Sequence, residues 1–95
     1  MNNFATNDAG VEIRGVSRDL FEYRDGDHVL KIGRESATTE SGDPAQIVYF
    51  DAFLRWEPPH DSETITPVDV DRIAANVVEA YAALGLPTFI ERRGI

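Results

Sequence analysis

The segment Leu54-Arg55-Trp56-Glu57-Pro58-Pro59 separates a strand-rich first half of the chain from a helical second half. It contains the only tryptophan and two of the five prolines. Neither proline can donate a backbone hydrogen bond to a neighbouring strand, so the segment must end the strand that precedes it. An aromatic corner of this kind either fills the core as a plug or forms a recognition surface, and the local sequence slightly favours the plug.

A helix is predicted over residues 67–84, soon after this corner. Thr66 suits the N-cap and Pro67 suits the first helical position. Asp69, three residues after the cap, completes a capping box with a shorter arm than the usual glutamate. Gly85 suits the left-handed residue that closes a helix. The apolar stripe expected to face the core comprises Val70, Ile73, Ala74, Val77, Ala80, Tyr81 and Leu84.

The strongest local signal in the first half is Asp25-Gly26, which lies between two segments of alternating polarity. Such a dipeptide predicts a hairpin with a two-residue type I′ turn, and that turn would place Tyr23 opposite His28. Side chains of a strand alternate between its two faces. The predicted core face of the hairpin carries Phe21, Tyr23, His28, Leu30 and Ile32.

The remaining strands follow from shorter patterns. They are predicted at residues 11–16, at 35–41 as an edge-like strand, at 46–50 as a strand buried on both faces, and at 88–92. The predicted fold class is α+β, with an antiparallel sheet of about five to six strands and one helix, residues 67–84, packed on one face. We expect residues 1–10 to be a flexible tail and residues 11–95 to form a single domain.

Acidic residues are concentrated in the middle third of the chain. The net charge of the protein is −8, and residues 35–71 contain nine acidic residues against one arginine. This distribution disfavours binding to nucleic acid or to anionic membranes. It suits a protein partner with a basic surface, although the same acidity would also keep a small domain soluble.

The sequence contains no strong signature of a catalytic, cofactor or metal site, and none is predicted. Cysteine is absent, which fits a cytoplasmic location, and no glycine-rich loop opens a helix after a strand. His28 is predicted to be a half-buried, hydrogen-bonded residue of the hairpin. His60, Asp61 and Glu63 follow the prolines and leave a small metal-dependent hydrolase as a weak alternative.

Three motifs together resemble the immunity protein 74 family of bacterial polymorphic toxin systems. They are Arg55-Trp56-Glu57-Pro58-Pro59-His60-Asp61, then Ile65-Thr66, then Asp71-Arg72-Ile73 within the helix. The resemblance extends over roughly residues 11–92, and the longer segment at 35–44 departs from the family's simplest pattern. It implies a small α+β domain that neutralises a cognate toxin domain in the cytoplasm by binding it, without a cofactor.

The residues predicted to contact such a partner lie in and after the aromatic corner. They are Arg55, Trp56, Glu57, Asp61 and Glu63. Tryptophan and arginine are over-represented at binding hot spots, and the acids would form a polar rim. The protein would act as a monomer or homodimer, and a structural or homo-oligomerising domain remains the main alternative to an inhibitor.

Overall fold

The computed structural model describes residues 4–6 and 10–93 as one sheet with a helix. The elements are β1 (Phe4–Thr6), β2 (Glu12–Ser17), β3 (Leu20–Asp25), β4 (His28–Thr38), β5 (Pro44–Asp51), α1 (Pro67–Ala82) and β6 (Thr88–Arg93). The six strands lie side by side in chain order. This arrangement confirms the predicted α+β class, the strand number and the single helix.

The last pair of strands departs from the predicted antiparallel sheet. Strands β1 to β5 pair antiparallel, whereas β6 pairs parallel to β5. Antiparallel neighbours are joined by tight turns, but parallel neighbours need a crossover of a dozen or more residues. The loop after β5 and the helix α1 supply that crossover, so β6 runs in the same direction as β5.

The β3–β4 hairpin turns through Gly26 and Asp27, so Tyr23 pairs with Leu30. The predicted pairing of Tyr23 with His28 is therefore wrong by two residues. Gly26 has a φ of 63°, and no other residue type in the described chain has positive φ. This pattern is typical of a type II′ turn, which takes glycine at its first central position. Because side chains alternate with a period of two, the shift leaves each one on its predicted face.

The segment predicted as a separate edge strand, residues 35–41, begins as the second half of β4. Glu35 to Thr38 continue that strand and pair with β5, with Ala37 opposite Ala45. The turn between these two strands is closed by a hydrogen bond from the Gly42 backbone N–H to the Thr39 carbonyl, with an N···O distance of 2.9 Å. The longer segment is therefore part of a hairpin.

The hydrophobic core lies between α1 and one face of the sheet. Its fully buried members include Ile13, Phe21, Tyr23, Leu30, Ile32, Val48, Phe50, Ile73 and Val77. The edge of the Tyr81 ring contacts Phe21, with centroids 5.8 Å apart. Ile47 and Tyr49 are half-buried on the opposite face, so the prediction that residues 46–50 are buried on both faces is wrong. The helix covers only one side of β5.

The predicted N-terminal tail, residues 1–10, contains a strand. Residues 4–6 pair with β2, with Ala5 opposite Ile13. Residues 1–3 and 7–9 of the predicted tail lie outside the described residues.

Both ends of α1 are capped as predicted. The Asp69 backbone N–H donates to the Thr66 hydroxyl at 3.1 Å, and the Thr66 backbone N–H donates to the Asp69 carboxylate at 2.9 Å. At the other end, Leu86 donates its N–H to the Tyr81 carbonyl, and Gly85, with a φ of 76°, donates to Ala82. These two bonds form a Schellman motif. One predicted stripe residue, Leu84, is 60% exposed because the regular helix ends before it.

Replacement of the cap tests how much the start of α1 depends on it. Thr66→Ala should lower the free energy of unfolding by about 1 kcal/mol, because the Asp69 N–H loses its acceptor. Urea titration measures the loss. Thr64→Ala is the matched control, since no partner of the Thr64 side chain is seen in the described chain. Equal losses in the two variants would contradict a capping role.

The capping box also predicts a dependence on pH. Hydrogen bonds from the Thr66 backbone and hydroxyl lower the pKa of Asp69 below its ordinary 3.8, with a smaller contribution from Arg72. A lowered pKa stabilises the fold above the unfolded-state value, and this stabilisation disappears as the pH falls through the folded-state value. The stability difference between the protein and its Asp69→Asn variant should thus be constant near neutrality and shrink in acid. Urea titrations at a series of pH values measure this stability difference. A difference that stays unchanged down to about pH 2 would contradict the predicted pH dependence.

Candidate functional site

Residues 52–66 form the connection between β5 and α1, which we call the 52–66 loop. Trp56 anchors this loop, because its side chain is only 6% exposed and belongs to the core cluster. Its ring lies 6.5 Å from Tyr23 and 5.0 Å from His28, measured between centroids, and meets His28 edge-on. Leu54 and Ile65 pack against the same cluster. The loop is therefore held by its own apolar side chains.

Backbone contacts fix the loop beside β4. The Glu57 N–H donates to the carbonyl of Val29 at 2.6 Å. The Glu57 carboxylate also pairs with the ammonium group of Lys31 at 3.1 Å. This part of the loop thus lies along the section of β4 that extends beyond its pairing with β5.

Of the two roles considered for Trp56, the structure assigns it to the core. A side chain with so small an exposed fraction offers a partner little area while the loop keeps this conformation. Arg55, which directly precedes Trp56, is exposed and forms no ion pair or hydrogen bond within residues 4–6 and 10–93. Two nearby acids have other partners, since Glu57 pairs with Lys31 and Asp51 accepts from the Phe53 N–H.

Phe53 is the aromatic side chain of the loop that faces outward. It is 85% exposed, and its backbone N–H donates to the Asp51 carboxylate at 2.7 Å. Together with Lys31, Asp51, Leu54, Arg55 and Glu57 it lines a shallow surface depression, which we call the Phe53 patch. The sequence pattern does not single out Phe53, because tryptophan is the more typical hot-spot residue. The available signal was its position just beyond the end of β5, where the sheet no longer covers it.

The other residues predicted to contact a partner, Glu57, Asp61 and Glu63, lie in different parts of the loop. Glu57 belongs to the Phe53 patch, and Asp61 is exposed further along the loop. Glu63 instead lies against two histidines, with one carboxylate oxygen 2.9 Å from His28 Nε2 and the other 2.7 Å from His60 Nδ1. We call these three residues the His28 cluster: His28, His60 and Glu63. The tertiary structure brings together residues that are more than thirty positions apart in the chain.

The geometry of the His28 cluster is compact. The two imidazole rings stack with centroids 3.7 Å apart and planes inclined by 19°. The hydrogen bond with His28, followed by that with His60, lowers the pKa of Glu63 below its ordinary value. Glu63 is therefore a carboxylate at neutral pH. Asp61, the third residue of the weak hydrolase alternative, is not part of the cluster.

The pocket beside the cluster is predominantly acidic. Its walls are formed by Asp25, His28, Trp56, Glu63, Thr64, Asp69 and Arg72. Arg72 donates to the Asp25 carboxylate at 2.6 Å and lies 3.6 Å from Asp69. One guanidinium thus stands against three carboxylates.

No helix within residues 4–6 and 10–93 has the length and apolar character needed to cross a membrane.

Several acids of the middle third have basic partners from outside it. The pairs are Glu57–Lys31, Asp69–Arg72 and Asp71–Arg92. Each pair is at least partly exposed, so its contribution to stability is small. Pairing weakens the local field near these acids but leaves the net charge of −8 unchanged. The acidity available to a partner is therefore less concentrated than the sequence suggests.

The fold defines a class, a small α+β domain that presents a long anchored loop between a strand and a capped helix. Comparison with models of protein families identifies the family of the chain. The family model Immunity protein 74 matches residues 12–91, and the chain therefore belongs to the immunity protein 74 family. The resemblance seen in the Trp-Glu-Pro-Pro segment is thereby confirmed. Searches of curated proteins and of solved structures found no match. Immunity proteins are generally non-catalytic.

A pair of substitutions separates the anchoring residue from the displayed one. Trp56→Ala should lower the free energy of unfolding by about 3–5 kcal/mol, because it leaves a large cavity in the core. That is a large fraction of the stability of a domain of this size. Phe53→Ala should change it by about 0.5 kcal/mol or less, since the ring is in solvent. Chemical denaturation measures both, and a small effect of Trp56→Ala would contradict the anchoring role.

Proposed function

We propose that the protein neutralises a cognate bacterial toxin domain by binding it directly in the cytoplasm, with the 52–66 loop as the contact surface. Membership of the immunity protein 74 family supports the class of function. The observation that carries the choice of surface is the outward-facing Phe53, 85% exposed, on a loop whose neighbouring Trp56 is buried. A rigid loop that displays an aromatic ring loses little conformational freedom when it binds.

The composition of the Phe53 patch supports a protein partner. Aromatic residues and arginine are enriched at binding hot spots, and Arg55 is free of competing partners within the described chain. Asp51 and Glu57 line the same patch, and their carboxylates are suited to hydrogen bonds with a basic side chain of the partner. Phe53 therefore replaces Trp56 as the proposed aromatic contact, while Arg55 and Glu57 keep the roles proposed from the sequence. Asp61 and Glu63, further along the loop, remain proposed as part of the polar rim.

The net charge of −8 supports a partner with a basic surface. Intracellular toxins that act on nucleic acid need basic clefts, and an acidic inhibitor would be attracted to such a cleft before contact. This step concerns the rate of encounter, whereas the Phe53 patch concerns the lifetime of the complex. The two parts of the proposal are therefore separable by experiment.

The first test measures binding to the toxin domain. The variable C-terminal domain of a large secreted protein encoded immediately upstream would be the cognate toxin. Phe53→Ala should raise the dissociation constant by about thirtyfold or more, as expected for a hot spot near 2 kcal/mol. Calorimetric titration with the purified domain measures the change, and protection of cells that express the toxin should fall in parallel.

Leu84→Ala is the matched control for this experiment. Leu84 is also a large exposed apolar residue, but it follows the C-terminal end of α1, whereas the 52–66 loop leads into the N-terminal end. The Leu84→Ala variant should leave the affinity for the toxin domain unchanged. If both variants bind as the unaltered protein does, the 52–66 loop is not the contact surface. If the unaltered protein does not bind at all, the proposed function itself is wrong.

The second test varies ionic strength. Raising NaCl from about 0.05 to 0.5 M shortens the Debye length several-fold and should slow association strongly, with a smaller effect on dissociation. Stopped-flow mixing of the two proteins separates the rates. An association rate indifferent to salt would remove the charge-steering part of the proposal and leave the role of Phe53 intact.

One structural feature bears on the oligomeric alternative. Strand β6 stands at the edge of the sheet, so a second copy has a free edge to pair with. Three of its exposed side chains, Glu91, Arg92 and Arg93, are charged, which disfavours edge-to-edge pairing, whereas the fourth, Phe89, is apolar and 49% exposed. Light scattering distinguishes the cases, because a dimer that persists in the presence of toxin would favour the structural role over the monomeric inhibitor.

A further inference from the structure

The His28 cluster is built from two separate parts of the chain. His28 is the first residue of β4, while His60 and Glu63 lie three residues apart in the 52–66 loop. The His60 N–H donates to the Glu57 carbonyl and the Glu63 N–H donates to the His60 carbonyl, each at 3.0 Å. Two consecutive turns of the loop therefore present His60 and Glu63 together to His28.

The ligand atoms converge on a small volume. One potential ligand atom from each of His28, His60 and Glu63 lies within 4.8 Å of the other two. The nitrogens that face the Glu63 carboxylate are His28 Nε2 and His60 Nδ1. The neutral imidazole nitrogen and the carboxylate oxygen are both good ligands of divalent transition metals. In a tetrahedral zinc site, bonds of about 2.0–2.2 Å place neighbouring ligand atoms roughly 3.4 Å apart. The present separations of Glu63 from His28 and His60 are 2.9 and 2.7 Å, so both contacts lengthen when a metal binds. The stacked imidazole rings must also turn apart, so that the lone pairs of both nitrogens point at the ion.

We propose that His28 Nε2, His60 Nδ1 and the Glu63 carboxylate bind a divalent transition-metal ion of the Zn²⁺ type. Two histidines and one glutamate leave the fourth tetrahedral position open to water or to a ligand from a partner. Two of these ligands, His60 and Glu63, belong to the weak metal-dependent alternative considered from the sequence, whereas the third, His28, lies far from them in the chain. The proposal does not depend on the toxin-binding function.

The surroundings of the cluster favour a cation. The adjoining pocket adds the carboxylates of Asp25 and Asp69, and its one guanidinium, Arg72, is already paired with Asp25. The buried Trp56 ring meets His28 edge-on and limits rotation of that imidazole. A ligand held in place by packing loses less freedom when a metal binds.

Metal binding would tie the 52–66 loop to the start of β4. In the absence of metal, the carboxylate of Glu63 is hydrogen-bonded to both rings, and these bonds add to the packing of Trp56 and the Glu57–Val29 hydrogen bond that hold the loop to the hairpin. A metal ion would replace those two hydrogen bonds with coordinate bonds. Because the three ligands converge only in the folded chain, added metal should stabilise the fold.

The experiment uses untagged protein freed of metal by chelation and titrated with ZnSO₄ in a calorimeter. We expect saturable binding of one Zn²⁺ per chain and a melting temperature that rises with Zn²⁺ and falls again with EDTA. Co²⁺ in place of Zn²⁺ should give the visible absorption typical of four-coordinate sites.

Glu63→Gln and His60→Ala should each weaken Zn²⁺ binding by at least about tenfold, since even outer-shell changes cost this much. Glu63→Gln keeps the size of the side chain, so it remains informative if His60→Ala impairs folding. Asp61→Asn is the matched control, because Asp61 is an exposed carboxylate of the same loop outside the cluster. Asp61→Asn should bind Zn²⁺ with the same affinity as the unaltered protein.

Two results would overturn the proposal. The first is the absence of saturable Zn²⁺ and Co²⁺ binding at micromolar metal, which would leave the cluster as a hydrogen-bonded contact. The second is equal affinity in the protein, Glu63→Gln and Asp61→Asn, which would place the metal elsewhere. Either result leaves the toxin-binding proposal standing, because these titrations use the chain alone.

Discussion

Burial of the Trp56 side chain is the constraint on which the surface of this protein depends. The indole fills the space beside Tyr23 and His28 at the end of the hairpin where α1 begins. The loop that carries it has no regular secondary structure between β5 and the helix, so side-chain packing must hold it. Leu54 and Ile65 reinforce that packing on either side. Without this anchor, a fifteen-residue segment would have little to order it.

Anchoring one residue determines what its neighbours do. With Trp56 directed inward, Phe53 and Arg55 project outward ahead of it, and His60 and Glu63 are brought against His28 behind it. The same packing thus produces a patch of apolar and charged side chains on one stretch of the loop and a histidine–carboxylate cluster on the other. The contact surface proposed for the toxin and the proposed metal site therefore both depend on the burial of Trp56.

Features decided by neighbouring residues were predictable from the sequence. The cap formed by Thr66 and Asp69, the closing glycine at position 85 and the buried stripe of α1 depend on contacts within a few residues. The faces of the β3–β4 hairpin were also correct, although its register was not. A type I′ turn at Asp25-Gly26 and a type II′ turn at Gly26-Asp27 lie one residue apart, which shifts the strand pairing by two residues and keeps every side chain on its face.

Features decided by distant residues were not predictable. The parallel pairing of β6 with β5 depends on how α1 crosses the sheet, and the half-exposure of Ile47 and Tyr49 depends on the helix covering one face only. The meeting of His28 with His60 and Glu63 depends on both the hairpin and the loop anchor. The sequence by itself thus determined the α+β class, the helix with its caps, the family resemblance and the acidity of the middle third. Only the tertiary structure decided that the tryptophan is buried and the phenylalanine displayed, because the exposure of a loop residue depends on the elements packed around it.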